Sequence, residues 1–402
     1  MANDLPAIPG RQRSVYTASR KHLFGRRRSH VPSFGGGSGR GTSSHGRRWP
    51  KRVIIGLISL VLLLLVVSVG SYLYIDSKLG GITHVPVSGL TPVQAGQPID
   101  ILLIGSDSRK CEKSSQSSAF GSQTTVTGER SDTIIVARLL GGSRVEMLSI
   151  PRDTWVPIAG TSGSNKINAA FNNGAGPLVQ TIQDNFHIPI NHVIMVNFCG
   201  FPAMVNSLGG VYMDFKYPVK DGYSGLSITQ TGCQLVNGTQ ALALVRSRHL
   251  FYLIGRVWHY DGQSDFSRIK RQQAFFHALL DRVHQVVPNV FRLSSFVGAT
   301  VGGLAVDSGY SSSEMINIGW DYHSLGQSDL FTSLLPTTES VIDGEDVLLP
   351  AKSNEKVVIS AFLAGNVGTF QSALGLAPHT VYLTQSSVVT GNFEEPWNPL
   401  PC

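Results

Sequence analysis

Asp132 and Arg152 are the first side chains in this 402-residue sequence whose types and positions could do chemistry together. They flank two apolar, strand-like runs, Thr133–Leu140 and Arg144–Ile150, which Gly141-Gly142-Ser143 joins as a turn. The pattern predicts an antiparallel hairpin, and folding it brings the carboxylate and the guanidinium to one open end. Such a pair is either a salt bridge at the rim, which contributes about 0–1 kcal/mol, or part of a binding site.

A second acid, Asp107, follows another strand-like run, Ile99–Ile104, within the turn Gly105–Arg109. Open α/β sheets bind ligands just beyond the carboxyl ends of their strands, although a Gly-x-Asp sequence also forms ordinary Asx turns. Asp107 and Asp132 both have hydroxyl neighbours. They match the sparse oxygen set that holds Mg²⁺ when substrate phosphates and water complete its shell.

Basic side chains recur near the ends of later elements. Arg246 and Arg248 follow a predicted helix, Gln240–Val245, and they share one face only if the chain is extended there. Arg268 and Gln272 lie four residues apart, and therefore on one side of the next predicted helix.

These cations suit a phosphate ligand. A planar guanidinium matches two phosphate oxygens at once, and each charge-assisted hydrogen bond can contribute about 1.5–3 kcal/mol. A diphosphate is the natural ligand, and the chemistry available at such a site is phosphoryl transfer through positioning and charge neutralisation. The cations of this set are Arg109, Arg152, Lys166, Arg246, Arg248 and Arg268.

Helix and strand patterns alternate between Lys166 and Phe215, which predicts a layered α/β domain. The sequence contains no internal repeat and no glycine-rich phosphate loop of the nucleotide-binding kinds. Further on, Asp265 or Ser267 can cap a helix whose apolar stripe we interpret as core rather than as a lipid groove. The stripe consists of Phe275, Phe276, Leu279, Leu280 and Val283.

The net charge of +7 is unevenly distributed. Residues 1–52 hold twelve Lys and Arg against one acid, a charge of +11, so the rest of the chain carries −4. Residues 53–75 contain no charge, and a helix of that length spans the roughly 30 Å of a membrane's hydrocarbon. We expect a retained signal anchor at 53–75, a disordered cytoplasmic tail at 1–52, and residues 76–402 outside the cell membrane.

Four cysteines, Cys111, Cys199, Cys233 and Cys402, lie in this exported part, where disulfides persist. Three connectivities are possible. We predict Cys199–Cys233 and Cys111–Cys402, because the first pair would close a loop of moderate length between ordered stretches. No Cys-x-x-Cys or His-rich spacing indicates zinc.

Several of these motifs, taken in order, resemble those of the LytR-CpsA-Psr (LCP) family. They are Gly105-Ser106-Asp107-Ser108-Arg109, Arg130-Ser131-Asp132-Thr133, Ser149-Ile150-Pro151-Arg152-Asp153-Thr154, Lys166-Ile167-Asn168, Leu208-Gly209-Gly210-Val211, Ala241-Leu242 with Arg246-Ser247-Arg248, and Arg268-Ile269-Lys270-Arg271-Gln272-Gln273. The likeness covers about residues 98–365, which leaves a stalk at 76–97 and a C-terminal tail at 366–402. The basic, Gly- and Ser-rich N-terminal tail resembles that of actinobacterial members.

The resemblance implies a fold and an activity. Members of the family are single-span, outward-facing enzymes with a three-layer α/β/α domain around a mixed central sheet. They bind a polyprenyl diphosphate-linked glycan, with the lipid tail in an apolar cavity, and transfer the glycan phosphate to a muramic acid 6-hydroxyl of peptidoglycan. By this resemblance the chain is a Mg-dependent phosphotransferase of the cell membrane, with pyrophosphatase as a side activity.

The resemblance also implies roles for individual residues. Asp107 and Asp132 would hold Mg²⁺. Arg152 and Asp153 would be catalytic, with Asp153 helping to deprotonate the acceptor unless it forms only a structural salt bridge. The residues implied to bind the diphosphate are Arg109, Arg152, Arg246, Arg248, Arg268 and Gln272, with Lys166 beside them.

Two loops, 108–129 and 251–264, are longer than the family pattern, and Ser267 stands where Gly is common. Both loops border the predicted site, where they would restrict the acceptor or cover the lipid. They keep open a second hypothesis, a non-catalytic polyprenyl phosphate-binding protein. A third hypothesis, a membrane-tethered regulator acting on nucleic acid, is disfavoured because the basic tail lies against an anionic membrane and carries no DNA-reading motif.

Overall fold

A mixed seven-stranded sheet forms the centre of the fold in a computed structural model of the chain. The structure describes residues 69–106, 131–142, 144–198, 200–286, 290–373 and 396–397, together with 59, 62, 63 and 402. All the elements named below belong to one compact unit, residues 62–402. The predicted site residues Asp107 and Arg109 lie outside the described ranges, as do Cys111 and Cys199.

Strands and helices alternate along the described chain. The strands are β1 (Thr83–Val85), β2 (Ile99–Ser106), β3 (Ser131–Leu140), β4 (Arg144–Ser149), β5 (Trp155–Pro157), β6 (Ser164–Lys166), β7 (His192–Asn197), β8 (Val211–Phe215), β9 (Val219–Asp221), β10 (Leu226–Ile228), β11 (Gly232–Val236), β12 (Phe251–Ile254), β13 (Val257–Tyr260), β14 (Leu304–Asp307), β15 (Leu330–Leu334), β16 (Thr337–Ile342) and β17 (Glu345–Pro350). The α-helices are α1 (Ala175–Phe186), α2 (Gly200–Ser207), α3 (Gly238–Arg246), α4 (Ser264–Val286), α5 (Val290–Val301), α6 (Ser312–Asp321), α7 (Lys352–Leu363) and α8 (Val367–Ala373). Two 3-10 helices cover Ile167–Asn173 and Gln327–Asp329.

The central sheet has the order β1-β14-β7-β2-β3-β4-β15. β2 runs antiparallel to β3, and β3 to β4, whereas β2 and β7, β4 and β15, and β1 and β14 are parallel pairs. The β3–β4 pair is the predicted hairpin, and Gly142 in its turn has a φ of 83°, a conformation that favours glycine. The mixed sheet confirms the predicted α/β class.

Alternate side chains of the central sheet face two separate cores, because successive residues of a strand point to opposite faces. Leu102, Ile104 and Ile134 pack with residues of α1 and α7 on one face. Ile101 and Ile135 pack with residues of α4, α5 and α6 on the other. The sheet therefore carries helices on both faces.

A third core lies on the side of α4 that faces the smaller sheets. Phe275 of α4 packs there with residues of α2, α3, β8 and β12, and with Trp397 near the C-terminus, which is fully buried. The amide of Lys216 donates to the carbonyl oxygen of Pro396 at 2.9 Å, so the segment before Trp397 is bound to the end of β8. This core supports the elements that line the candidate site.

The disulfide pairing differs from the prediction. Cys233 on β11 is bonded to Cys402, so both predicted pairs, Cys199–Cys233 and Cys111–Cys402, are wrong. The prediction relied on the length of the closed loop. The observed pair instead depends on where distant segments meet. β11, which carries Cys233, pairs with β8, and Trp397 forms a β-bridge with Phe215 at the end of the same strand β8.

The predicted membrane anchor at 53–75 lies mostly outside the described residues. Its residues 69–75 are helical, and that helix continues to residue 79. Among the helices in the described ranges, none combines the length and the apolar character needed to cross a membrane. The anchor therefore stays a prediction.

His192 connects the start of β7 to the end of β14 and to α6. Its Nδ1 lies 3.1 Å from Asp307 Oδ2, its Nε2 lies 3.2 Å from Glu314 Oε1, and its ring stacks on Tyr310. Both ring nitrogens can donate only in the imidazolium form. Burial alone would lower the pKa of His192, but the hydrogen bonds and charges of the two carboxylates outweigh it, and the net pKa is raised.

We predict that the His192 contacts make stability fall as the pH rises from the unfolded pKa of about 6.5 through the raised folded-state pKa. The stabilisation that accompanies a raised folded-state pKa is fully present below the unfolded pKa of about 6.5 and is lost as the pH rises through the folded pKa. It amounts to about 1.4 kcal/mol for each unit by which the two pKa values differ. In thermal unfolding, the Tm of the wild type should therefore fall over this range by several degrees more than that of His192→Gln. Parallel Tm curves for the two proteins would contradict the prediction.

Candidate active site

A cavity of about 560 Å³ lies between the central sheet and helices α2, α3, α4 and α5. This volume is typical of a small-molecule site. Much of its wall is apolar and includes Phe201, Leu242, Phe275, Phe276, Leu279 and Phe296. Six of the sequence-predicted site residues also line it, namely Asp132, Arg152, Arg246, Arg248, Arg268 and Gln272. The cavity thus combines an apolar wall with a group of cations, the combination that an anionic lipid requires.

Arg152 and Asp132 meet at the open end of the hairpin, as the sequence predicts. Arg152 Nη1 donates a hydrogen bond to Asp132 Oδ1. The turn after β4 is held in place because the amide and the hydroxyl of Thr154 both donate to the carbonyl oxygen of Pro151, at 3.1 and 2.6 Å. The guanidinium therefore reaches the cavity from a turn whose backbone is fixed.

Asp265, at the start of α4, joins three of the arginines. Its Oδ1 lies 2.9 Å from Arg268 Nη2, 3.2 Å from Arg248 Nε and 3.9 Å from Arg152 Nε. The sequence predicts Asp265 only as a helix cap, and its role in the site was missed. The available signal was its spacing of three residues from Arg268, which places both side chains on one side of the helix.

Burial and neighbouring carboxylates shift the pKa values of Arg268 and Arg152 in this cluster. Burial lowers the pKa of Arg268, although Asp265 and Asp132 act in the opposite direction. Arg152 is also partly buried, but the charges of Asp132, Asp153 and Asp265 outweigh that effect and raise its pKa. Arginine stays protonated in proteins, so both side chains are cationic at neutral pH. Three guanidinium groups and the carboxylates of Asp132, Asp153 and Asp265 therefore meet at this end of the cavity.

The segment Arg246-Ser247-Arg248 is extended, which is the arrangement that suits a shared anion. Helix α3 ends at Arg246, and Ser247 has φ and ψ of −60° and 128°. The guanidinium of Arg246 lies over the ring of Phe198, 4.4 Å from its centroid, and lines the cavity. Arg248 lines it as well, and its Nε is the atom closest to Asp265.

The buried carboxylate of Asp221 fixes this segment through hydrogen bonds. Its Oδ2 accepts hydrogen bonds from the Ser247 hydroxyl at 2.6 Å and from the amides of Arg248 and His249 at 3.1 and 3.0 Å. Arg271, fully buried on α4, donates to the carbonyl oxygen of Ser247. Asp221 and Arg271 are positioning residues that sequence reasoning missed, because their partners are distant in the chain.

Gln272 links β3 to the end of α3. Its amide nitrogen donates to Thr133 Oγ1 at 2.9 Å and to the carbonyl oxygen of Val245 at 3.0 Å. An amide group has two N–H donors, so both are engaged in this structure. Gln272 therefore acts here as a positioning residue, and it could donate to a phosphate only by giving up one of these contacts.

Asp153 and Lys166 lie beside the cavity rather than in its described wall. Asp153 Oδ2 is 3.5 Å from Arg152 Nε, and its Oδ1 is 3.9 Å from Lys166 Nζ. Lys166 is closer to Glu345 Oε2, at 3.1 Å. The structure thus places Asp153 next to a cavity arginine, whereas Lys166 is turned toward β17.

The described residues contain one member of the predicted metal pair, Asp132. Within them, no group of three or more His, Cys, Asp or Glu side chains could hold a metal ion. The strand that leads to the other member ends beside Asp132, because Ser106 pairs with Ser131. Gly105 is so close to Thr133 that a Cβ at this position would lie 2.9 Å from Thr133 Cβ. Glycine therefore allows β2 to approach β3 at this point.

The apolar stripe of α4 belongs to two cores, and part of it also lines the cavity. Phe275 and Leu279 belong to the third core, and Phe276 and Leu280 pack with Ile101 and Ile135 in the core between the central sheet and helices α4, α5 and α6. Phe275, Phe276 and Leu279 nevertheless also line the cavity. The structure confirms these four residues as core, and three of them also face the cavity because it lies between the two cores.

Comparisons with known proteins identify the family of the chain. The model of the LytR_cpsA_psr family matches residues 76–361. The probable cell wall biosynthesis protein LcpB of Corynebacterium glutamicum is 33% identical over 241 residues, which is 59% of this chain and 54% of LcpB. The match therefore spans about half of LcpB.

Two further comparisons concern a transferase and a solved structure. The polyisoprenyl-teichoic acid–peptidoglycan teichoic acid transferase TagU of Halalkalibacterium halodurans is 29% identical over 245 residues, covering 58% of this chain and 72% of TagU. The structure of a LytR-Csp2A-Psr enzyme from Actinomyces oris superposes with a TM-score of 0.57 and 22% identity, and the match covers 70% of this chain and 95% of that one. This last likeness supports the fold.

We predict that Asp221→Asn destabilises the protein by about 2–3 kcal/mol, the range expected for hydrogen bonds to a buried charge. Asp221 is 1% exposed, and an amide group there would place N–H donors against the backbone amides that now donate to the carboxylate. Urea unfolding should show the loss. In the same measurement the exposed Asp184→Asn should change stability by less than about 0.5 kcal/mol. Equal stabilities for the two variants would refute the role of Asp221.

Proposed function

We propose that this chain, which belongs to the LytR_cpsA_psr family, transfers a phosphoglycan from a polyprenyl diphosphate carrier to peptidoglycan during cell-wall assembly. The observation that carries the proposal is the meeting of Arg152, Arg248 and Arg268 at a cavity with an apolar wall. The guanidinium groups suit the two phosphates, and the phenylalanine-rich wall suits the prenyl chain. The name of the relative TagU, which joins polyisoprenyl, teichoic acid and peptidoglycan, supports this substrate class.

In the proposed reaction, an acceptor hydroxyl of peptidoglycan attacks the phosphorus that carries the glycan. The new P–O bond forms as the bond from that phosphorus to the bridging oxygen breaks, and polyprenyl monophosphate leaves. Arg152, Arg248 and Arg268 would bind the diphosphate oxygens and neutralise the charge that moves onto the leaving phosphate. This role needs little covalent chemistry from the protein.

Asp153 is the proposed acceptor for the hydroxyl proton. It lies next to Arg152 in the chain, and its carboxylate is 3.5 Å from the Arg152 guanidinium. An oxygen that binds to the phosphorus held by Arg152 would therefore come close to this carboxylate. The neighbouring Lys166, with its Nζ 3.9 Å from Asp153 Oδ1, would help to hold this carboxylate in position.

Mg²⁺ is the proposed cofactor, held by Asp107 and Asp132. Asp132 fits this role in part, because its carboxylate lines the cavity beside the arginines, but it is now hydrogen-bonded to Arg152. A bound Mg²⁺ would supply further neutralisation of the diphosphate oxygens. We further propose that the protein acts outside the cytoplasmic membrane, anchored by residues 53–75, and has no nucleic-acid partner.

We predict that Arg152→Ala and Arg248→Ala each lower glycan transfer at least about 100-fold, the usual cost of removing a group that stabilises developing charge. The assay would use the full chain in detergent, a polyprenyl diphosphate-linked glycan and peptidoglycan, and would follow release of polyprenyl monophosphate. The matched control is Arg256→Ala, an exposed arginine in the turn between β12 and β13 that should leave the rate unchanged.

The same assay tests the metal and the alternative function. Removal of Mg²⁺ with EDTA, or Asp132→Ala, should abolish transfer and hydrolysis of the diphosphate alike. Wild-type rates in Arg152→Ala and Arg248→Ala would reject the proposal. Tight binding of the lipid without any cleavage, with or without Mg²⁺, would instead show a non-catalytic polyprenyl phosphate-binding protein.

A further inference from the structure

Exposed aromatic rings adjoin the arginines of the cavity. Tyr223 and His249 both line it, and their ring centroids are 4.6 Å apart. Tyr260 continues the row, because its ring is nearly parallel to that of His249 and its hydroxyl lies 3.4 Å from His249 Nδ1. Tyr223 is 86% exposed and Tyr260 45%, whereas Phe275 in the apolar wall is 2% exposed. The row of Tyr223, His249 and Tyr260 therefore lies on the solvent side of the site.

Asp221 fixes this row relative to Arg248. Its Oδ1 accepts hydrogen bonds from the amides of Tyr223 and Ser224 at 2.8 and 3.3 Å, while its Oδ2 accepts those of Arg248 and His249. One buried carboxylate thus holds the loop that carries Tyr223 and the segment that carries Arg248. The backbones that carry Tyr223, Arg248 and His249 are consequently held in a fixed relation to one another.

The third ring comes from the lengthened loop at 251–264. This stretch forms the hairpin β12–β13, in which Tyr260 pairs with Phe251 and packs on its ring at 5.2 Å. β9 carries Asp221 at its end and pairs with β12, so the hairpin is attached to the element that holds the other two rings. The lengthened loop therefore places Tyr260 beside His249, next to the cavity.

We propose that Tyr223, His249 and Tyr260 form a platform that binds the sugar ring attached to the diphosphate. This inference rests on the proposed function and names the part of the substrate that these residues recognise. One face of a pyranose presents C–H groups, which carry slight positive charge, and the face of an aromatic ring carries the negative part of its quadrupole. The tyrosine hydroxyls and the imidazole can also exchange hydrogen bonds with sugar hydroxyls.

Continuity with the arginines favours a sugar over a membrane surface. Arg248 and His249 both line the cavity, so a phosphate held by Arg248 has the His249 ring within reach of the next unit of the substrate. Aromatic rings suit a neutral sugar, and the row of Tyr223, His249 and Tyr260 contains no Lys or Arg that would select another phosphate. A contact with lipid headgroups would not require two of the three rings to line the cavity.

The test compares binding of two probes to the full chain in detergent. Farnesyl diphosphate lacks a sugar, and farnesyl diphosphate linked to N-acetylglucosamine carries one. The wild type should bind the second about tenfold more tightly, which corresponds to one ring stacking on the sugar. Tyr223→Ala should remove that preference without changing the affinity for farnesyl diphosphate, and Tyr223→Phe should keep most of it.

Trp258→Ala is the matched control, because Trp258 is an exposed aromatic residue of the same hairpin that is absent from the described cavity wall. It should keep the tenfold preference. Equal affinities of the wild type for the two probes would overturn the platform. Equal affinities are the result expected if the rings bind the acceptor glycan instead of the sugar on the diphosphate. A similar loss for both probes in Tyr223→Ala would also overturn it.

Other outcomes separate this proposal from the proposed function. If Tyr223→Ala and Trp258→Ala equally weakened binding to anionic vesicles while the sugar preference persisted, the rings would be a membrane contact and the platform would be refuted. If both probes bound equally well and Arg248→Ala weakened both, the platform would be refuted while the proposed function stood. Binding of neither probe by the wild type would refute both.

Discussion

Several guanidinium groups cannot share a partly buried site unless carboxylates lie between them, and this constraint shapes the region around the cavity. Asp265 lies within 3.9 Å of Arg152, Arg248 and Arg268, and Asp132 accepts a hydrogen bond from Arg152. At an effective dielectric of about 20, two like charges 4 Å apart repel by about 4 kcal/mol. The two carboxylates offset that repulsion. In the proposed function, a diphosphate with more charge and more acceptor oxygens takes over part of their role.

The remaining structure keeps these cations in place. Asp221 fixes the backbone of Arg248, and Arg271 donates to the carbonyl oxygen just before it. Arg271 in turn is bound to Asp261 at 3.0 Å and lies over the ring of the buried Trp397. Residues near the C-terminus therefore support the arginine segment through one guanidinium. Removing one partner of such a buried pair is costly, because the other charge is left unpaired.

Local patterns were enough to predict the hairpin and the meeting of Asp132 with Arg152, because turn residues and strand periodicity act over short distances. Contacts between distant segments could not be read in the same way. Asp265 resembles an ordinary helix cap until the fold brings Arg152 and Arg248 to it. The pair Cys233–Cys402 depends on where the C-terminal segment returns. The stripe on α4 reads as core, and only the packing of two cores around a gap turns Phe275 and its neighbours into a cavity wall.

The most direct test of the account is a crystal structure of the protein with a polyprenyl diphosphate bound. The account predicts diphosphate oxygens within about 3.2 Å of the guanidinium groups of Arg152, Arg248 and Arg268, the distance of a charge-assisted hydrogen bond. It also predicts the first prenyl units against Phe275 and Phe276. A diphosphate bound elsewhere, with the three arginines still grouped around Asp265 alone, would contradict the account.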